Sequence, residues 1–138
     1  MKVTIRLRSA VTSDGDTQQT DQQLRGFLRR CDNSYELTYR EQGGEDALGN
    51  TTTLLRFFED RLELSRQGDY RGLLVMEPGK RVDCEYHTPF GALTLTTHTT
   101  RLHAAFDDDG NGTVQVCYTL EAGGTSTHKL TMDIKPSP

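Results

Sequence analysis

The chain has no tryptophan, three cysteines and four prolines in 138 residues, and apolar residues make up only 33% of it. Each shortage excludes something. So little apolar matter implies a thin core, the economy of a sheet closed on itself with its outer face in water. No apolar run is long enough to span a membrane as a helix, and the start does not read as a signal peptide. Cys31, Cys84 and Cys117 form no Cys-x-x-Cys pair. An odd, scattered set fits reduced thiols in a cytoplasm and not a disulfide framework, so a cytoplasmic location is expected. The net charge is −4 with both signs interspersed, and no basic run tracks a phosphate backbone. Neither nucleic acid nor a membrane is an expected partner.

The signatures of catalysis are also missing. There is no Gly-x-Ser-x-Gly elbow, no glycine-rich phosphate loop and no cysteine in a motif with a base. His87, His98, His103 and His128 lack metal-ligand spacing. No catalytic residue, metal or cofactor is therefore expected. Residues 107–112, Asp-Asp-Asp-Gly-Asn-Gly, invite a calcium reading. However, the twelfth place, which needs a bidentate Glu, is Tyr118, and the flanks read as strands. Acidic and glycine residues are also what a hairpin turn requires, so this segment is read as a connector.

What the chain does have is alternation. In residues 81–106, Val82, Cys84, Tyr86 and Thr88 alternate with charged residues. Thr88-Pro89-Phe90-Gly91 makes a type I turn, and Leu93 and Leu95 resume the pattern. Leu102, Ala104 and Phe106 continue it in the opposite phase, which predicts a bulge near residues 99–101. Val3, Ile5 and Leu7 open the chain as an amphipathic strand. Residues 13–20 read as a polar loop around Asp14-Gly15. Residues 22–31 are ambiguous, since Leu24, Phe27 and Leu28 fit a helix while Gly26 opposes one. Tyr35, Leu37 and Tyr39 alternate into Glu41, and residues 42–49, with three glycines, read as the longest flexible loop.

Leu54, Leu55, Phe58 and Leu62 would share a helical face. The threonines at 51–53 and the alternation of Leu62, Leu64 and Arg66 favour two strands instead. A short strand at residues 73–76 ends in a type II turn at Pro78-Gly79. Two more strands carry Val114, Val116, Tyr118 and Leu120, then Leu130, Met132 and Ile134, before a frayed tail at residues 136–138. The expected fold is all-β: one domain, an antiparallel meander of about ten strands closed into a barrel, which leaves no edges.

A family resemblance agrees. Arg66-Gln67-Gly68, the Tyr86-x-Thr88-Pro89-Phe90-Gly91 turn, Tyr39-Arg40-Glu41, the Thr51-Thr52-Thr53 run and the opening strand together resemble the YwiB-like family of uncharacterised bacterial proteins. That resemblance spans nearly the whole chain and implies a calycin-like, lipocalin-type barrel without an established activity. Residues 22–31 read as less strand-like than relatives would imply.

In an up-and-down meander the ends of odd strands and the starts of even ones share a rim. Glu41, Thr51, Arg66, Tyr86, Thr88 and His128 all fall there on the inward phase, so they form the candidate ligand-binding set. An inward arginine needs a partner, and Glu41 is the candidate. The same set also reads as a plug that satisfies its own hydrogen bonds, and that reading is favoured. A non-catalytic binding module for a small polar-ended ligand is the leading function. A homodimeric assembly module with a plugged barrel is the alternative, and an enzyme ranks last.

Overall fold

Alternation prevails along the whole chain. The computed structural model describes residues 1–41 and 50–138, without the side chain of Glu41. It contains ten strands: β1 (Lys2–Ser13), β2 (Asp16–Arg30), β3 (Tyr35–Glu41), β4 (Thr51–Phe57), β5 (Leu62–Gly68), β6 (Gly72–Met76), β7 (Arg81–Thr88), β8 (Gly91–Phe106), β9 (Gly112–Glu121) and β10 (Thr125–Pro136). No helix occurs among the described residues, so none is long and apolar enough to cross a membrane. The strands lie in the order β6-β5-β4-β3-β2-β1-β10-β9-β8-β7, each antiparallel to its neighbour. The first and last strands therefore pair, from Val3 opposite Pro136 to Thr12 opposite Thr127.

The sheet curls until β6 approaches β7, and the barrel is nearly closed. No continuous ladder joins these two strands. The seam is held at its ends by the Arg71–His87 bridge, with backbone bonds of 2.8 and 2.9 Å, and by the contact of Pro78-Gly79 with Thr99. Between them the buried Thr97 hydroxyl donates to the Val75 carbonyl at 2.7 Å, tying β8 directly to β6. The predicted bulge lies between Thr99 and Arg101. The helix-prone stretch at 51–64 is strand, turn and strand, as its alternation requires.

Three expectations change. The loop expected at residues 13–20 is a tight turn at Asp14-Gly15, both at positive φ (52° and 83°), and Asp16–Thr20 continue as β2 paired to β1. Polar composition misled there because this stretch faces solvent. The ambiguous 22–31 segment is also strand, and Gly26 explains why. A Cβ there would sit 2.6 Å from the Thr38 carbonyl and 2.8 Å from Ile5 Cδ1, so the glycine permits a close crossing of strands. The tail is tied, since Ser137 N donates to the Lys2 carbonyl at 2.9 Å and its hydroxyl meets Thr4 at 3.1 Å. The flexible loop read at residues 42–49 lies outside the described residues.

Inward residues form one core, including Ile5, Leu37, Leu55, Leu62, Met132 and Ile134, all nearly inaccessible. One barrel end is shut by aromatic packing. Tyr35 stacks on Phe106 at 4.5 Å, and Phe57 tilts against the same ring at 5.2 Å. The connector at 107–111 closes on itself, with Asp107 Oδ1 accepting from the amides of Asp109 and Asn111 at 2.9 Å each.

Candidate functional site

The end opposite the aromatic plug holds a cavity of about 380 Å³. Leu62 and Leu64 on β5, Leu74 and Met76 on β6, Leu95 on β8 and Met132 on β10 line its lower part. Nearer the mouth the lining changes character. Arg66 stands two residues before the end of β5, Tyr86 two before the end of β7, and His128 three into β10. Period-two alternation forces this arrangement, because each polar residue simply extends the inward row of its strand. Four of the chain's five tyrosines, Tyr39, Tyr70, Tyr86 and Tyr118, line this one cavity.

The polar groups are linked. Arg66 Nη1 donates to the Tyr86 hydroxyl at 3.1 Å. Gly72 makes room for that ring, since a Cβ there would lie 2.6 Å from Tyr86 Cδ1. Tyr118 stacks flat on His128, 4.8 Å between centroids at 6°, and His128 Nε2 shares a 2.8 Å hydrogen bond with the Ser126 hydroxyl. Burial pushes the Tyr118 phenol up, with Arg66 pulling it back and Tyr86 adding to the rise. Tyr118 is thus a neutral donor at physiological pH. Burial lowers His128, which favours its uncharged form.

Of the six residues expected at the mouth, Arg66, Tyr86 and His128 line the cavity. Thr51 lies just behind it, fully buried, where its hydroxyl accepts from the Tyr70 amide at 3.3 Å and so positions that ring. Thr88 is not part of the lining. Its hydroxyl accepts from Phe90 N and donates to the Gly91 carbonyl, which caps the β7–β8 turn. Thr88 is the last residue of β7, opposite Gly91, and the turn takes up its hydroxyl. Glu41 pairs with Thr51 in the backbone register, two rungs above the Tyr39–Thr53–Arg66 row, and its side chain lies outside the described residues. Sequence reasoning missed Tyr118 and Tyr70. Tyr118 had a signal, since it shares the phase of Val114 and Val116, whereas Tyr70 sits in a turn that has no period.

Among the described residues no group of three His, Cys, Asp or Glu side chains is arranged to hold a metal ion. The cysteines are all free thiols, and burial raises Cys84, away from the thiolate that nucleophilic chemistry needs.

Residues 5–134 match the family described as a domain of unknown function, DUF1934. The chain belongs to the DUF1934 family. This DUF1934 chain is 24% identical over 132 residues to the uncharacterized beta-barrel protein YwiB of Bacillus subtilis (strain 168), covering 96% of itself and 90% of that protein. Its fold matches the crystal structure of YwiB with a TM-score of 0.89 at 22% identity, over 99% of this chain and 92% of the other. The DUF1934 barrel is thus shared with YwiB along nearly its whole length.

Proposed function

We propose that this DUF1934 barrel is a non-catalytic, calycin-like binding module that takes a small polar-ended ligand through its mouth. The observation that carries this reading is the cavity of about 380 Å³, with an aliphatic floor and Arg66, Tyr86, Tyr118 and His128 gathered near its opening. Ligand pockets share that character, mostly apolar with a few convergent polar groups. A barrel end meant only to be sealed has a simpler solution, the stacked rings of Tyr35, Phe57 and Phe106 at the other end.

Native mass spectrometry of the purified protein tests this. A co-purifying small molecule is expected on the wild type, and it should be lost from Leu130→Trp, which puts a bulky ring into the cavity lining. If the wild type carries nothing, binds no member of a small-molecule panel and is stabilised by Leu130→Trp, the cavity is only a packing defect.

A second reading, assembly through the outer surface, draws on Phe90. That ring is 95% exposed at the tip of the β7–β8 turn, with Leu73 48% exposed on β6. Sedimentation of wild type against Phe90→Ser measures it, and a monomer at all concentrations in both would remove it.

A further inference from the structure

Two phenol hydroxyls in the cavity narrow the ligand class. A phenol both donates and accepts. Tyr86, only 6% exposed, accepts from Arg66 Nη1 at 3.1 Å, which leaves its own proton to donate elsewhere. That proton meets no acceptor among the described residues. Tyr118 stacks its ring flat on His128, yet its hydroxyl has no hydrogen-bond partner among the described residues. Burial keeps this phenol protonated, and it lies near enough to Tyr86 and Arg66 to interact with both electrostatically. Both tyrosines line the cavity. The protein thus holds two O–H donors near each other with nothing to receive them, and a donor left unmade away from water is costly.

An oxygen with two lone pairs and no proton of its own answers both donors. A carbonyl oxygen is a neutral group of that kind, whereas an ammonium accepts nothing. A carboxylate also accepts, but it brings a full negative charge out of water. Arg66 is already engaged, by Tyr86 and by a further interaction within the protein. Below the hydroxyls the lining is aliphatic, through Leu62, Leu64, Leu74, Met76, Leu95 and Met132. A volume of about 380 Å³ has room for about a dozen non-hydrogen atoms at roughly 30 Å³ each. Resting on the reading of the barrel as a ligand binder, we infer that its ligand is a small neutral carbonyl compound. The carbonyl oxygen accepts from the hydroxyls of Tyr86 and Tyr118, and the aliphatic part lies on the leucine floor.

Isothermal titration with three probes of one chain length, octan-2-one, octanoate and octylammonium, tests the class. Octan-2-one should bind tightest and octylammonium weakest. Tyr118→Phe, which keeps the ring that stacks on His128, should weaken octan-2-one about three- to tenfold, the scale of one neutral hydrogen bond, and leave octylammonium unchanged. Tyr86→Phe should do the same, and Tyr118→Phe carries the test if loss of the acceptor for Arg66 keeps that variant from folding. Tighter binding of octanoate or octylammonium than of octan-2-one, or octan-2-one binding that Tyr118→Phe does not weaken, overturns the carbonyl assignment while the binding role stands. Failure of all three probes at millimolar concentration overturns both.

Discussion

Glu36 sits at the centre of a cluster of ion pairs on the outer wall. Its side chain is only 12% exposed, receives Arg29 and, at 3.2 Å, Arg56 Nε from the strands on either side, and accepts the Cys31 thiol at 3.0 Å. The Cys31 and Arg29 bonds in particular hold its carboxyl at about 2, below the usual 4.5. A depressed carboxylate contributes stability that is complete above its unfolded value and is lost as pH falls through its folded one. Glu36→Gln should therefore be less stable than wild type at neutral pH, by about 1–2 kcal/mol once screening around the exposed arginines is allowed for. The gap should close between pH 4.5 and about 2. Urea melts across that range measure it, and a gap independent of pH would rule out the carboxylate as its source. At this scale the cavity was half legible. Arg66, Tyr86 and His128 stand out because each is a polar residue on an apolar phase. Thr88 follows the same rule and breaks it, because a turn residue's hydroxyl finds backbone partners nearer than the cavity.

Gly26 shows what an element asks of a single position. In the interior of a helix its replacement by alanine would stabilise by nearly 1 kcal/mol. In β2 the new methyl group would meet the Thr38 carbonyl at 2.6 Å, and Gly26→Ala should cost about 1–3 kcal/mol. Gly124→Ala, with nothing within 4 Å of the added carbon, should stay within about 0.5 kcal/mol of wild type. Chemical denaturation of both variants reads out the sign. Most elements were legible because one face is wet, so period two survives in β1, β3, β5, β7 and β9. The upper part of β2 was not legible, since residues 16–23 are exposed on both faces and no burial writes a period into them. The gap in that signal is physical: a strand wet on both sides looks like a loop.

The barrel as a whole is weakest at its seam. Every other neighbouring pair of strands shares a ladder, while β6 and β7 share none and are flanked by the isolated Arg71–His87 and Pro78–Thr99 bridges. Thr97→Val removes the hydroxyl that reaches across to Val75 at 2.7 Å and should cost about 1 kcal/mol. Hydrogen exchange should then quicken in β6 and β7 with little change in the β1–β10 ladder. Uniform acceleration over all ten strands would mean that the seam does not open by itself.

Pairing of the first strand with the last has a kinetic consequence. The chain crosses the seam covalently, through the short turn at residues 77–80, where the backbone ladder is missing. Where the covalent chain is open, between its two ends, the ladder is complete and even Ser137 is bonded to Lys2. The ring is thus continuous, with each kind of break bridged by the other kind of bond. Every other ladder joins strands that follow one another directly, whereas β1 and β10 must find each other with the whole chain between them. Closure entropy grows with that separation, so their zipping is the slow, late step in folding. Until it happens, a newly made chain carries two long unpaired rims, and it is in that interval that it is most open to sticking to its neighbours.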